Sequence, residues 1–374
     1  MSRVAVAIYV VLLGAVSIHL YRFPVYPMDT LGYMGNALLM KHLDPARIHE
    51  LVYAEVHQMS ERTREDILGI RMTSDPTADA SRHMRAKSVD SSTEFLPCFA
   101  IRPLYIQLLY VLSTFVGLRR AAVLISVTSY FLLGSLTFAW CQRYVPSYYA
   151  AAFCGVLMLT PPVILLGRSA LPDALFTLLA MSSLFLIFEV EKLLPGLLLL
   201  LISTFVRTDN VTLALPVLAA LWYTARLEFW KAALLGLISV LSVVLINQFA
   251  GDYGLAVLYY RNFSGTPSFP ADMNLHMSVG VYVSGFQLGI RRMLDSPFLV
   301  FVLLGLVGLY RKSHLLLILA IATSYAVLHF FILPNWQDRW FVLVYLLFAL
   351  SSVCVEFRLV ATQSQSSLRP ANIS

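Results

Sequence analysis

The sequence contains few charged residues for its length. Only 13% of its 374 residues are Asp, Glu, Lys or Arg, whereas 59% are hydrophobic, and the mean hydropathy is +0.74. A soluble domain cannot bury that much apolar side chain, so the composition excludes a soluble protein and predicts a polytopic membrane protein. The net charge is +6, but no basic run stands on a soluble domain, and we expect no nucleic-acid partner.

The sequence motifs of several enzyme classes are also missing. There is no GxxxxGK[ST] phosphate loop, no GxGxxG after a strand, and no GxSxG, HExxH or CxxC. These absences argue against a nucleotide-driven motor and against a hydrolase of the soluble type. The four cysteines show neither a metal-binding spacing nor an obvious pairing, so we expect no disulfide framework.

Long apolar segments dominate what is present. The first, Val4–Leu20, follows Arg3 and has no small-residue cleavage site, which predicts an uncleaved helix with a cytoplasmic N-terminus. Other segments predict further spans: Ala121–Trp140, Tyr149–Leu166, Ala174–Phe188, Leu194–Val206, Val211–Thr224, Ala232–Phe249, Pro297–Tyr310, Leu315–Leu333 and Phe341–Val355. The sequence therefore predicts an all-α polytopic membrane protein with about ten transmembrane helices in a single domain, residues 1–361.

Two long segments are predicted on the outer side of the membrane, over residues 21–120 and 251–296. The first contains two predicted amphipathic helices at the membrane surface, Thr30–His42 and Arg102–Gly117, the second of which has roughly fifteen residues and is too short to span. With that helix lying flat, Lys and Arg collect on the cytoplasmic side, although Arg119 and Arg120 lie outside. Residues 362–374 are predicted to be a disordered cytoplasmic tail.

One carboxylate, Asp29, lies among aromatic residues at the predicted membrane edge, in the stretch YRFPVYPMDTLGYMGNALLM. An acid that neighbours Tyr26 and Tyr33 at the edge of a bilayer is costly to desolvate, which favours a functional site. Asp is also a preferred N-cap residue and is equally explained as the cap of a helix that begins at Thr30. The stretch alone leaves both interpretations open.

Other short outer segments pair an acid with an arginine near an apolar boundary. They are GRSALPDALF with Arg168 and Asp173, STFVRTDNVT with Arg207 and Asp209, and LPNWQDRWF with Asp338 and Arg339. One such pair is explained by charge neutralisation at a helix end, but several on one membrane face are unusual because buried charge is costly. The planar fork of arginine suits phosphate oxygens, so these clusters, with Arg102, predict a phosphate site beside a lipid chain.

Two other groups of residues are candidates with simple alternatives. Tyr259 and Tyr260 form either a stacking platform for a sugar ring or part of an interfacial aromatic belt. His49 and His57, close to Glu50 and Glu55, form either a metal pair or a solvated helix face. We assign no metal ligand and no cofactor, and a divalent metal is left open.

The order of these elements resembles the GT-C superfamily of integral-membrane glycosyltransferases, which take sugars from polyprenyl-phosphate carriers. The matching elements are MDTLGY after the first helix, two membrane-surface helices before the second span, LPDALF, FVRTDN and QDRWF. The resemblance covers the order of elements over most of the chain, but the motifs are short. Asp29 is followed by Thr where many members have Asp-Glu, and the soluble C-terminal domain of oligosaccharyltransferases is absent.

This resemblance implies transfer of a sugar from a polyprenyl-phosphate donor to a glycan, lipid or protein acceptor at the outer face of the membrane. Asp29 would be the general base, with Asp173 as a second catalytic residue that orients the acceptor or holds a positive partner. The residues implied to bind the lipid phosphate and the sugar are Arg102, Tyr105, Arg168, Arg207, Asp209, Tyr259, Tyr260, Asp338 and Arg339. Compact loops and a pI of 9.1 favour a bacterial inner membrane, with the site facing the periplasm or exterior.

Two alternatives come from other functional classes. A transporter or flippase of lipid-linked glycans would place its charged residues near the bilayer midplane, whereas here they lie at the ends of the predicted spans. A non-catalytic assembly subunit would have no deep pocket that joins Asp29 to Arg207.

Overall fold

The structure is a computed structural model that describes residues 2–71, 75–251, 257, 268–269, 278–310 and 315–367. Within these ranges the chain is helical and contains no β-strand; an isolated parallel bridge joins Val25 to Ser169. The prediction of an all-α fold is therefore confirmed for the described part of the chain. The four cysteines are all buried and free.

The described residues in the first third of the chain form eight helices. They are α1 (Ser2–Arg22), α2 (Asp29–Leu39), α3 (Pro45–His57), α4 (Glu61–Ile67), α5 (Pro76–Lys87), α6 (Val89–Glu94), α7 (Pro97–Ala100) and α8 (Pro103–Val116). Helices α3 to α6 each begin after a Ser or Asp whose side chain accepts a hydrogen bond from a backbone N–H: Asp44, Ser60, Asp75 and Ser88. The polar block of the sequence is therefore a set of capped helices.

The remaining described chain forms a bundle of mostly apolar helices. They are α9 (Leu118–Cys141), α10 (Ser147–Met158), α11 (Pro161–Arg168), α12 (Asp173–Leu184, continued by a π-helical turn Phe185–Glu189), α13 (Leu193–Val206), α14 (Val211–Tyr223), α15 (Phe229–Phe249), α16 (Val279–Leu294), α17 (Phe298–Tyr310), α18 (Leu316–Ile332) and α19 (Asp338–Ser367). Helix α16 lies at the end of the second predicted outer segment, residues 251–296. Helix α19 continues into the segment predicted as a disordered tail.

Apolar helices long enough to cross a membrane make the chain a membrane-embedded protein. Three described helices meet the length and composition required, namely Arg3–Arg22, α9 and α15. Three sharply bent helix pairs raise the number to as many as six: Val89–Ala100 with α8 (116°), α10 with α11 (70°), and α16 with α17 (74°). Helices α13 and α18 are apolar but shorter.

The predicted span Tyr149–Leu166 is broken into α10 and α11. Pro161 and Pro162 follow the break, and Thr160 has an extended backbone with ψ of 145°. Proline lacks a backbone N–H and disfavours a helical conformation in the residue before it, so a helix cannot continue through this point. The break turns α11 toward the loop that ends at Asp173.

Helix α2 is buried on every side, so the prediction of an amphipathic surface helix over Thr30–His42 is wrong. Every residue from Thr30 to Leu38 is buried, and α2 packs against α3, α7 and α8. Gly32 allows this packing because a Cβ there would lie 2.0 Å from the Phe99 ring. The helix also begins at Asp29 itself, with Met28 at the N-cap, so Asp29 lies in the first turn and is not its N-cap residue.

Polar contacts lie at both ends of α12, which are separated by roughly 25 Å of helix. At its C-terminal end, the Tyr144 hydroxyl donates to the carboxylate of Glu189, and the Arg143 guanidinium lies 3.6 Å from it. At its N-terminal end, Asp173 accepts a hydrogen bond from the Arg207 guanidinium (2.6 Å). The cavity described below lies at this N-terminal end of α12.

We predict that Asn36→Leu destabilises the packing of α2. The buried Asn36 amide donates to the carbonyl oxygens of Gly32 and Leu96, both at 2.8 Å, and the second bond ties α2 to the start of α7. Loss of both bonds should lower the free energy of unfolding by about 1–3 kcal/mol. Thermal unfolding in detergent measures the effect, with Thr114→Val as the control because its exposed hydroxyl bonds only within its own turn. Equal melting temperatures for the two variants would contradict this role.

Candidate functional site

A cavity of about 400 Å³ opens where the N-terminal ends of α2, α12 and α19 meet the linker between α13 and α14. Its charged side chains come from distant parts of the sequence: Asp29, Arg102, Asp173, Arg207, Asp209 and Arg339. Aromatic and apolar residues complete the wall, with Asn247 of α15 on the side of α14. The structure thus brings six of the predicted site residues into one cavity.

A short pairing between two loops places Asp29 beside Asp173. The N–H of Ala170 donates to the carbonyl of Val25 (3.1 Å), and the Thr30 hydroxyl donates to the carbonyl of Ala170 (3.1 Å). These bonds hold the chain before α2 against the chain before α12. The first turns of the two helices therefore start at the same place, each with its carboxylate in the cavity wall.

Arg207 is the centre of a buried network of charges. Its side chain is 3% exposed, its Nη1 donates to Asp173 Oδ1 (2.6 Å), and its Nε donates to Asp209 Oδ1 (3.0 Å). The residue follows α13 with an extended backbone, and a 3₁₀ turn over Thr208–Asn210 returns the chain to α14. The Asn210 amide fixes this turn because it donates to the carbonyl of Leu200 (2.9 Å).

Asp173 extends the network from Arg207 to Asp29. Its other oxygen lies 3.9 Å from Arg339 Nη1, and Arg339 Nη2 lies 3.6 Å from Asp29 Oδ2. The Arg339 Nε donates to Gln337 Oε1 (2.9 Å), which orients the guanidinium. The side chain of Asp29 is 28% exposed, whereas that of Asp173 is 7% exposed. Asp29 is therefore the more accessible of these two acids.

Arg102 lies in the bend between α7 and α8 and faces the same cavity. Its guanidinium is 5.2 Å from the centre of the Tyr33 ring. Within the described part of the chain no carboxylate oxygen lies within 4.0 Å of it, although its charge interacts with those of Arg207 and Asp173 at longer range. Arg102 therefore retains donors that a bound anion can take up.

His329 is a cavity residue that the sequence patterns did not identify. Its Nε2 lies 3.0 Å from Asp209 Oδ2, and its ring is stacked against Trp340. Burial raises the pKa of Asp209, but Arg207 and His329 more than offset this and lower it to about 2. Asp209 is therefore ionised at neutral pH. The available signal was a single imidazole in the otherwise apolar helix α18.

Three predicted site residues do not line the cavity. The Arg168 Nε donates to the carbonyl of Phe23, and this arginine lines a different pocket. Tyr105 is fully buried, with its hydroxyl 3.4 Å from the carbonyl oxygen of Ala170. Asp338 accepts hydrogen bonds from the Tyr345 hydroxyl (2.7 Å) and the Trp336 indole (3.3 Å). These three side chains therefore contact other parts of the protein and not the cavity.

The other predicted candidates lie away from the cavity or outside the described residues. Tyr259 and Tyr260 are outside the described residues. His49 is bonded to the carbonyl of Arg85 (3.1 Å), and Glu50 forms an ion pair with Arg47 (2.6 Å). Among the described residues no group of three or more His, Cys, Asp or Glu is placed to hold a metal ion.

We predict that Arg207→Met destabilises the fold strongly. The substitution leaves Asp173 and Asp209 without the guanidinium that they share, and breaking a buried ion pair in this way costs about 3–5 kcal/mol. Asp29→Asn is the matched comparison, because Asp29 is partly exposed and 3.6 Å from its partner, and should cost less than about 1 kcal/mol. Thermal unfolding of both variants in detergent tests the order. An Arg207→Met protein as stable as wild type would contradict the structural role of the network.

Comparison of the chain with protein-family models, with curated proteins and with solved structures found no match. The resemblance to the GT-C superfamily therefore has no support from these comparisons.

Proposed function

We propose that the protein is a glycosyltransferase that moves a sugar from a polyprenyl-phosphate carrier to a glycan, lipid or protein acceptor. The observation that carries this proposal is that one cavity contains two groups of complementary use. One is a partly exposed carboxylate, and the other is a guanidinium that has no carboxylate partner among the described residues. Asp29 is the carboxylate and Arg102 the guanidinium. A transfer from a phosphate carrier needs both a proton acceptor and a site for the departing phosphate.

Asp29 is the proposed general base. The acceptor hydroxyl oxygen forms a bond to the anomeric carbon while its proton passes to Asp29. The bond between the anomeric carbon and the phosphate oxygen breaks, and its electron pair leaves with the polyprenyl phosphate. Arg339 Nη2 lies 3.6 Å from Asp29 Oδ2 and orients the carboxylate, which stays 28% exposed.

Arg102 and Arg339 are the proposed ligands of the lipid phosphate. The leaving phosphate gains negative charge as the bond breaks, and preorganised arginines stabilise that charge more than they stabilise the bound substrate. Arg207 is a weaker candidate because its donors are directed to Asp173 and Asp209. We assign Arg207 and Asp173 to positioning, since they fix Arg339 beside Asp29.

An apolar groove next to the cavity supports a lipid-linked donor. Val211 and Thr212 of α14 line the polar cavity, and the same helix continues into a second cavity of about 410 Å³ through Leu215 and Leu218. On the antiparallel helix α15 the wall likewise passes from Asn247 to apolar side chains further along. A polyprenyl chain lying between α14 and α15 would keep its phosphate at the polar end.

The positions of the charges favour this proposal over the alternatives. Asp29, Asp173 and Arg339 lie in the first turns of their helices or next to them, at one end of the bundle, whereas a carrier places such residues at mid-membrane. A non-catalytic assembly subunit would have no pocket that joins Asp29 to Arg207, and both residues line the cavity.

We further propose that the chain crosses a bacterial inner membrane about ten times, with the cavity facing the periplasm.

Cysteine labelling tests this orientation, since the native cysteines are buried. We predict that Glu50→Cys reacts with a membrane-impermeant maleimide in intact spheroplasts, whereas Glu228→Cys reacts only after permeabilisation. The two acids are matched, because each is exposed and paired with a basic residue three positions away. The reverse labelling pattern would place the cavity on the cytoplasmic side.

We predict that Asp29→Asn abolishes sugar transfer while the protein stays folded. Loss of the general base should lower the transfer rate about 10²–10⁴-fold. The assay uses a panel of radiolabelled polyprenyl-phosphate sugars, purified protein, and a cell-envelope extract as acceptor. Asp66→Asn is the control, because this acid lies on the same outer segment, is 43% exposed, and is not in the cavity wall.

The possible results separate the functional classes. Transfer by wild type and by Asp66→Asn, with none by Asp29→Asn, supports the proposal and identifies the donor sugar. Normal transfer by Asp29→Asn overturns the role of Asp29. No transfer by folded wild-type protein from any donor favours the transporter or flippase alternative.

A further inference from the structure

A third cavity, of about 390 Å³, lies beside the Val25–Ser169 pairing. We call it the basic pocket, because among the described residues four arginines line it and no Asp or Glu does: Arg22, Arg119, Arg120 and Arg168. Tyr21 and Tyr26 contribute aromatic wall, and Ser60 and Thr63 contribute hydroxyl groups. The proposed transfer mechanism makes no use of this cavity.

Two of these arginines occupy positions that helix electrostatics disfavour. Arg119 and Arg120 lie in the first turn of α9, a helix of 24 residues. The N-terminal end of a helix carries partial positive charge and repels cations there. The same two residues depart from the positive-inside tendency of the sequence. Neither helix stability nor membrane orientation therefore explains why arginines occupy these two positions.

Nearby acids do not neutralise the basic pocket. Arg119 Nε lies 3.6 Å from Glu55, and its Nη1 donates to the carbonyl of Gln58 (2.7 Å). The side chains of Arg22 and Arg120 are exposed, and among the described residues no carboxylate oxygen lies within 4.0 Å of either. The cavity therefore has a clear excess of positive charge, and its free donors have the fork geometry that suits phosphate oxygens.

We propose that the basic pocket binds a phosphate group, either on the headgroup of an anionic lipid or on a soluble phosphate ester. An anion at this point interacts with the partial positive charge of the α9 N-terminus and with several guanidinium groups at once. The pocket also joins the end of the apolar helix α1 to the start of α9, where aromatic side chains such as Tyr21 suit a membrane interface. This inference does not depend on the proposed transfer reaction.

The test compares binding by the full-length protein and by two double variants. Arg22→Gln with Arg120→Gln removes the two unpaired arginines. Arg47→Gln with Arg62→Gln removes the same charge from exposed positions on α3 and α4, outside the pocket. Native mass spectrometry follows titration with phosphatidylglycerol and, as the neutral-headgroup comparison, phosphatidylcholine. Equilibrium dialysis with radiolabelled inorganic phosphate forms the second arm.

We expect a phosphate probe to bind wild type and the control, and to bind the pocket variant at least about tenfold more weakly. Binding of phosphatidylglycerol over phosphatidylcholine identifies a lipid headgroup, whereas binding of inorganic phosphate alone identifies a soluble source. Arg120→Lys keeps the positive charge but loses the planar guanidinium, so this variant should bind the phosphate probe with intermediate strength. It tests the pocket even if the double variant is unstable. Equal binding by wild type and Arg120→Lys, or by all proteins, or no binding in either arm, overturns the proposal.

Discussion

The cavity depends on one buried guanidinium. Arg207 holds Asp173 of α12 and Asp209 of the linker after α13, and Asp173 in turn approaches Arg339 of α19. Charges this deeply buried are stable only when each has a partner at short range. Because Asp173 belongs to α12 and its other neighbour Arg339 belongs to α19, the network around Arg207 also fixes how these two helices meet the linker after α13.

This constraint separates the residues that hold the site from those that are available for chemistry. Arg207 pairs with Asp173 in the interior and with Asp209, whose side chain is 32% exposed and also contacts His329. Asp29 and Arg102 line the same cavity, where the Asp29 side chain is 28% exposed and Arg102 has no acid partner within 4.0 Å among the described residues. Reactive groups need this combination of a rigid support and an accessible position. In the proposed function, the apolar groove between α14 and α15 would take the lipid chain of the donor.

The sequence predicted features that depend on local pattern and missed those that depend on packing. Hydrophobic segments located α9, α12 and α13 to within a few residues, because a membrane-compatible helix requires a continuous apolar run. The burial of α2 was missed, since it depends on Phe99 approaching Gly32. Adjacent charged residues were also assigned together, although Asp338 and Arg339 turn to different partners. Two residues that are adjacent in the sequence at the start of a helix can point in different directions, and the sequence alone does not show which.

The central claim is that the cavity holds the lipid phosphate next to Asp29. A structure of the protein in nanodiscs with bound polyprenyl phosphate tests it most directly. The account predicts the phosphate within hydrogen-bonding distance of Arg102 and Arg339, with the polyprenyl chain between α14 and α15. A polyprenyl phosphate bound only in the basic pocket, or at mid-membrane with the cavity unoccupied, would contradict it.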